Sequence, residues 1–131
     1  NSAALAKIAD RIGGGFIKSL DIPPGWEEIV IELDRRIARL FPTYVLYQAK
    51  EKVGGLRFYT EVDGNAQVRS LIAEAGALAF ETCEVCGIRG APYHVTTEAT
   101  EGSFWVSTLC YEHRLEDRER LSVLRLEARQ S

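Results

Sequence analysis

The amino-acid sequence predicts an α+β fold in which helices pack on a small antiparallel β-hairpin sheet, followed by a zinc-ribbon-like C-terminal part and a final charged helix. Three observations lead to this prediction. Apolar residues recur every three or four positions in some segments, they alternate with polar residues on both sides of a Gly-Gly pair, and a Cys-x-x-Cys pair is followed by Cys-x-x-His. The first two periods are those of amphipathic helices and half-buried strands, and the third pattern is typical of a metal site.

Length and composition indicate one globular domain over residues 1–131. Hydrophobic residues make up 46% of the 131 residues and charged residues 27%, which is close to ordinary soluble domains of ~100 to 150 residues. The 16 Lys+Arg and 19 Asp+Glu residues give a formal net charge of -3, which creates no overall positive field for a polyanion. Nucleic-acid binding would therefore need a local basic patch.

The sequence gives no sign of a membrane partner. No run approaches the ~20 consecutive apolar residues of a membrane span. Its beginning also lacks a basic segment followed by an apolar stretch and a cleavage site of small residues. We therefore expect a cytoplasmic location.

Residues 1–24 are predicted to form a short helix and a glycine-rich loop. The apolar residues on one helical face are Leu5, Ile8, Ala9 and Ile12. The run Gly13-Gly14-Gly15 should end this helix, because each glycine costs about 1 kcal/mol in a helix interior. Residues 16–22 are expected to be a loop.

Residues 25–80 are predicted to form a helix–hairpin–helix core. Pro23-Pro24-Gly25 indicates a helix start, because proline loses no hydrogen bond at the first helical position, and Pro42 should end the helix. Its apolar face consists of Trp26, Ile29, Val30, Leu33, Ile37 and Leu40. The basic residues near its end are expected to lie on a solvated face: Arg35, Arg36 and Arg39.

The hairpin is predicted between Tyr44 and Val62, where two alternating runs flank Gly54-Gly55. Asn65 then has the position of an N-cap for a second amphipathic helix. The apolar face of that helix is formed by Val68, Leu71, Ile72, Ala75 and Leu78.

The last third is divided into a zinc-knuckle region, residues 81–114, and a charged helix, residues 115–131. We expect a strand from Phe104 to Thr108, and we place His94 in a loop. The final helix begins at about Tyr111 and carries a thin apolar stripe of Leu115, Leu121, Leu124 and Ala128. This stripe is expected to dock on the domain, with pairing of two copies as a homodimer left as an alternative.

Four residues form the strongest functional pattern in the sequence: Cys83, Cys86, Cys110 and His113. A Cys-x-x-Cys turn lets two thiolates converge on one ion, and Gly87 directly after it permits a tight backbone turn. Four nitrogen and sulfur donors in two pairs match a closed tetrahedral structural zinc site. The sequence therefore predicts one structural zinc per chain.

Other uses of the three cysteines fit less well. A disulfide would leave an odd thiol in a chain that shows no sign of secretion. A thioredoxin-like redox pair would follow a strand, whereas this pair follows a predicted helix. Iron–sulfur ligation stays an alternative on spacing, although a Cys3His set for one metal ion more often holds zinc.

Three features of the sequence together resemble a group of small uncharacterised proteins of phages, prophages and bacterial genomes. They are the run Lys50–Tyr59, the helix start at Gly25-Trp26, and the ending Cys-Glu-x-Cys-Gly with Leu-Cys-x-x-His. The resemblance covers roughly residues 25–114, and that group more usually has Phe where this chain has Val53. It implies a zinc-bearing α+β domain and brings no established activity.

A weaker pattern lies on the hairpin, where basic and aromatic residues are interleaved: Lys50, Lys52, Arg57 and Tyr59. Such a surface can stack a base or hold a phosphate. The favoured interpretation is a solvated polar face whose charge Glu51 and Glu61 partly neutralise.

No catalytic constellation is evident in the sequence. Glu61 and Asp63 lack the placement of an acid–base pair, and an HNH-type nuclease would need further histidines. Enzymatic activity is therefore disfavoured. The first hypothesis is a non-enzymatic, zinc-stabilised protein-interaction module, of the inhibitor or immunity type found in phage and bacterial conflict. The alternative is a nucleic-acid-binding zinc protein that uses the hairpin surface.

Overall fold

The computed structural model describes residues 2–13, 20–90, 93–100 and 103–120. Within these ranges the chain contains helices and two separate antiparallel hairpins, which confirms the α+β class. In chain order the elements are α1 (Ser2–Ala9), a 3-10 turn (Pro24–Trp26), α2 (Glu27–Leu40), β1 (Leu46–Lys52), β2 (Gly55–Thr60), α3 (Ala66–Ala79), β3 (Tyr93–Thr100), β4 (Ser103–Leu109) and α4 (Tyr111–Arg120). The description of the C-terminal part as zinc-ribbon-like stays a prediction.

Two of the predicted features lie outside the described residues. They are most of the glycine-rich loop, at residues 14–19, and the part of the apolar C-terminal stripe beyond residue 120. Whether that stripe docks or pairs two copies is therefore still a prediction.

Helix α2 supplies the centre of the larger hydrophobic core. It follows a 3-10 turn that has Pro24 in its first position, and it ends at Leu40, before Pro42, as the sequence predicts. The predicted apolar face is buried except for Leu40, which is exposed. This core also contains residues of α1, α3 and the first hairpin, including Ile8, Phe58 and Val68.

A polar network joins the turn after α1 to α2 and to the segment between α2 and β1. The Arg11 Nε donates to the Asp34 carboxylate at 2.7 Å, and its Nη1 donates to the Pro42 carbonyl at 3.0 Å. The Tyr44 hydroxyl donates to the same carboxylate, and burial together with this contact raises the pKa of Tyr44. Asp34 is therefore a satisfied structural acid.

The first hairpin is formed as predicted, but its turn lies one residue earlier. The central turn residues are Val53 and Gly54, with φ of 55° and 75°, and Gly55 already belongs to β2. A type I′ turn needs positive φ at both central positions, which is why Gly54 suits it. The register also shifts between Leu46 and Gln48, so the simple alternation predicted along β1 is wrong there.

The end of the predicted N-terminal loop runs beside β1. The Asp21 amide donates to the Ala49 carbonyl at 3.2 Å, and the Glu51 amide donates to the Asp21 carbonyl at 3.1 Å. Asp21 thus forms a single parallel bridge with Lys50. This short pairing covers an edge of the hairpin that would otherwise expose its backbone groups.

Helix α3 begins as predicted, because the Asn65 side chain accepts a hydrogen bond from the Val68 amide at 3.1 Å. Val68, Ala75 and Ala79 are buried against the core. The helix ends at Ala79 and leads directly into the cysteine turn.

The second hairpin was only half predicted. Strand β4 contains the predicted strand from Phe104 to Thr108, but β3 was not expected, and His94 lies on it. The loop position predicted for His94 is therefore wrong. Its ring stacks on Phe80 at 3.8 Å between centroids, and its Nδ1 lies 3.1 Å from the Thr108 hydroxyl. A smaller core of Cys83, Val95, Leu109 and Cys110 lies at this hairpin.

Candidate metal centre

The first pair of thiols is presented by a tight turn directly after α3. The Gly87 amide donates to the Cys83 carbonyl at 3.0 Å, and the Cys83 amide donates to the Ile88 carbonyl at 2.9 Å. Gly87 has a φ of 81°, a conformation that glycine adopts without a steric penalty. These bonds bend the chain so that Cys83 and Cys86 face a common point.

The second pair lies where β4 passes into α4. Cys110 follows the last residue of β4, and His113 lies in the first turn of α4. The Arg114 amide donates to the Cys110 carbonyl at 2.8 Å, which closes this turn. Residues three apart share one helix face, so the thiol and the imidazole point the same way.

The four side chains meet as the sequence predicts. Their ligand atoms all lie within 4.8 Å of one another. Among the described residues, these four form a cluster of side chains that could hold one metal ion together. The Cys86 and Cys110 sulfurs are 3.9 Å apart. The His113 Nδ1 is 3.5 Å from the Cys83 sulfur and 3.2 Å from the Cys110 sulfur. The cluster can therefore hold a metal ion.

The electrostatic setting differs among the thiols. Burial by itself raises the pKa of Cys83, but hydrogen bonds from the backbone of Cys86, Cys110 and Val85 outweigh it and bring that pKa from 9.0 to about 6. Burial raises the pKa of Cys86, and the neighbouring thiols act in the same direction. The backbone thus favours one thiolate, and further thiolates at this distance need a cation to offset their repulsion.

The cysteine turn packs against the start of α2. The Trp26 indole donates to the Thr82 carbonyl at 2.9 Å, and the Gly25 amide donates to the Glu84 carbonyl at 2.7 Å. A Cβ on Gly25 would overlap the Cys83 carbonyl oxygen and lie 2.7 Å from the Glu84 backbone. Gly25 therefore allows the cysteine turn and the larger core to approach each other.

Thr108 connects the second hairpin to the first. Its hydroxyl donates to the Gly54 carbonyl at 2.9 Å, and its amide donates to the Glu84 carboxylate. Burial raises the pKa of Glu84 to about 7, although the hydrogen bond from Thr108 lowers it in part.

The positioning roles of Gly25 and Thr108 were not predicted from the sequence, because neither role leaves a local sequence pattern.

The hairpin surface proposed from sequence is assembled in part. Lys50 and Arg57 lie directly opposite each other across the two strands. Arg57, Tyr59 and Lys52 are exposed, whereas Lys50 is half-buried. The two acids expected to neutralise this face in part accept hydrogen bonds from backbone amides, Glu51 from that of Gly54 and Glu61 from that of Val45. No ion pair of Arg57 is present among the described residues.

Comparison with protein-family models, curated proteins and solved structures found no match. The candidate metal centre is therefore assigned from its own geometry.

None of the described helices is long and apolar enough to cross a membrane.

Proposed function

We propose that this protein is a non-enzymatic protein-interaction module whose C-terminal part is held together by one structural zinc ion. The observation that carries the proposal is the convergence of Cys83, Cys86, Cys110 and His113 within 4.8 Å. A catalytic zinc normally keeps one position open for water, whereas four protein donors fill the coordination sphere. The ion is therefore assigned a structural role.

The separations of the donor atoms support zinc. Tetrahedral bonds of ~2.3 Å to sulfur and ~2.05 Å to nitrogen place two sulfurs about 3.8 Å apart and sulfur and nitrogen about 3.6 Å apart. The observed distances are 3.9 Å between the Cys86 and Cys110 sulfurs and 3.5 Å between the Cys83 sulfur and the His113 Nδ1, close to these values, whereas the Cys110 sulfur and the His113 Nδ1 are closer, at 3.2 Å. Three thiolates with one imidazole are also a donor set that favours zinc over magnesium or calcium.

The distribution of exposed apolar side chains supports a role in protein interaction. Within the described residues, six of the ten exposed large hydrophobic residues lie in the stretch from Phe80 to Leu115, which contains the candidate metal centre: Phe80, Val85, Ile88, Tyr93, Tyr111 and Leu115. Exposed apolar side chains that are concentrated in one region often mark an interaction site. The resemblance to phage and bacterial proteins makes an inhibitor or immunity-type protein the form of this proposal that we favour.

Zinc binding can be tested with the two histidines of the chain. We expect His113→Asn to lose bound zinc, as measured by elemental analysis of the purified protein. His94→Asn is the matched control and should keep one zinc per chain, because His94 lies outside the donor cluster. Equal zinc retention by both variants would contradict the assigned ligand set.

The interaction function can be tested by affinity capture from the native host with the same two variants. A partner retained by the wild-type protein and by His94→Asn, and lost with His113→Asn, is the expected result. The function is wrong if no protein is specifically retained, or if the zinc-free variant retains the same proteins.

Nucleic-acid binding through the hairpin is the second candidate. The opposed pair Lys50 and Arg57 favours it, because like charges directly across two strands destabilise a hairpin unless an anion offsets them. If it is right, oligonucleotide affinity falls steeply with salt, and Arg57→Ala weakens it more than Arg39→Ala, a control at an exposed position on α2. Absence of binding to single- and double-stranded oligonucleotides at low salt would exclude this candidate.

A further inference from the structure

The side chain of Arg114 lies between two tyrosines beside the metal centre. Its guanidinium carbon is 4.5 Å from the centroid of the Tyr93 ring and 5.1 Å from that of Tyr111. The two ring centroids are 6.3 Å apart, with their planes inclined at 59°. Tyr93 comes from β3, and the other two residues come from the first turn of α4.

This arrangement fixes a cation at a surface. Tyr93 is 40% exposed and Tyr111 is 56% exposed. The Arg114 Nε is buried and has no hydrogen-bond partner within the described part of the chain. No hydrogen bond of its two Nη groups to a described side chain is present either, and in α4 the described side chains end at residue 115. A guanidinium stacked on aromatic rings keeps its charge and loses much of its rotational freedom.

We propose that this surface, formed by Tyr93, Arg114 and Tyr111, binds a carboxylate side chain of an acidic segment in a protein partner. The proposal rests on the proposed interaction function and assigns it a surface and a partner chemistry. The planar guanidinium matches a carboxylate with two parallel N–H···O bonds through its Nη groups. Tyrosine and arginine are also the residues that most often dominate the binding energy of protein interfaces.

A single carboxylate fits this surface better than the backbone of a nucleic acid. Nucleic-acid binding generally uses several cations that follow successive phosphates. Among the side chains that the structure describes, which in α4 end at residue 115, one guanidinium lies against the two rings, and the exposed acid Glu112 lies on the same helix turn. The rings provide apolar contact for the carbon chain of an aspartate or glutamate, which a phosphate lacks.

The metal centre positions this surface. Tyr111 directly follows the ligand Cys110, and Arg114 directly follows the ligand His113. Zinc ligation would fix the first turn of α4 against the second hairpin, and with it the alignment of the two tyrosines around the guanidinium. The binding surface should therefore be lost when the metal is removed.

The direct test is nuclear magnetic resonance of the zinc-loaded protein, with the Arg114 Nε–H signal as the reporter. The probe is a capped five-residue peptide with one central glutamate between leucines, and its partner peptide has glutamine instead. The expected result is a saturable shift with the glutamate peptide and at least about fivefold weaker binding of the glutamine peptide, because charge assistance is lost. Equal binding of both peptides, or no saturation with either, would overturn the proposal.

Variants separate this proposal from the proposed function. Because these variants lack the Arg114 Nε–H signal, peptide binding is followed in them and in the wild-type protein by the backbone amide signals of Tyr93 and Tyr111. Arg114→Gln should abolish the preference for glutamate, and Arg114→Lys should weaken it because lysine lacks the planar fork. Arg39→Gln is the control for overall charge, and zinc content shows that each variant is folded. If Arg114→Gln keeps zinc and still prefers the glutamate peptide, this surface is wrong while the interaction function stands. Binding of inorganic phosphate or of an oligothymidylate that is tighter than binding of the glutamate peptide, as followed by the Arg114 Nε–H signal of the wild-type protein, would also overturn the proposed carboxylate site.

Discussion

Val53 is the one non-glycine residue of the described chain with a positive φ, at 55°. A left-handed conformation brings Cβ close to the following carbonyl and costs roughly 1 to 2 kcal/mol, and a β-branched side chain adds to the crowding. Because the side chain is 60% exposed, little burial offsets this cost. The turn residue is therefore a local source of instability that the rest of the hairpin must outweigh.

Val53→Asn should stabilise the protein by about 1 kcal/mol, because asparagine tolerates positive φ in type I′ turns. The measurement is the free energy of unfolding in urea at constant zinc. Val53→Ile is the matched control, since it keeps the β-branch and should leave stability nearly unchanged. A loss of stability in Val53→Asn would show that the turn does not have this backbone conformation.

Gly25 is needed for a close approach between the start of α2 and the cysteine turn. Gly25→Ala should cost about 3 kcal/mol, because the added Cβ must displace the backbone of Cys83 and Glu84. Gly76→Ala is the matched control: no atom lies within 4 Å of its added Cβ, and it should gain about 1 kcal/mol in α3. Denaturant unfolding of both variants measures the difference, and an unaffected Gly25→Ala would exclude this packing.

At the scale of elements, Thr108 links the two hairpins. Thr108→Val keeps the shape of the side chain but removes the 2.9 Å hydrogen bond to the Gly54 carbonyl and the 3.1 Å contact of the hydroxyl with the His94 Nδ1. A buried unsatisfied carbonyl costs about 1 to 3 kcal/mol, so we expect a loss of that size in the free energy of unfolding. Thr96→Val, at an exposed position on β3, should be nearly neutral. Equal effects of the two substitutions would show that the hairpins are not coupled through this bond.

Elements with local signals were predicted well from the sequence. Helix α2 has a proline start and a regular apolar spacing, α3 has its Asn65 cap, and the four residues of the candidate metal centre have a diagnostic spacing. Strand β3 was missed because His94, Thr96 and the residues after them show no clear alternation of apolar and polar residues. The turn at Val53 was misplaced because a glycine pair is the stronger turn signal.

Contacts between distant segments could not be predicted. The positions of Gly25 against Cys83 and of Thr108 against Gly54 depend on how the part of the chain with the larger core packs against the part with the smaller core. The same holds for Arg114, which stacks on Tyr93 only because β3 and α4 meet beside the metal centre. Such roles become visible once the tertiary structure is known.

At the scale of the whole molecule, two hydrophobic cores of unequal size stabilise different parts of the chain. The larger core contains α2 and the first hairpin, whereas the smaller one contains Cys83, Val95, Leu109 and Cys110. So small an apolar cluster does not by itself offset the backbone entropy of the segment from Cys83 to His113, at about 1 to 2 kcal/mol per ordered residue. Structural zinc sites in peptides contribute on the order of 10 kcal/mol, so the proposed zinc ion would account for the order of this part.

The most direct test of whether the C-terminal part depends on zinc is hydrogen exchange of the zinc-loaded and the chelated protein, with zinc content measured on the same samples. We expect one zinc per chain before chelation. After chelation, amides from Cys83 to Leu115 should lose protection while those of α2 retain theirs, and the thermal midpoint should fall. A protein that contains no zinc as purified, or that keeps the same protection and the same midpoint after chelation, would contradict a structural zinc at these four residues.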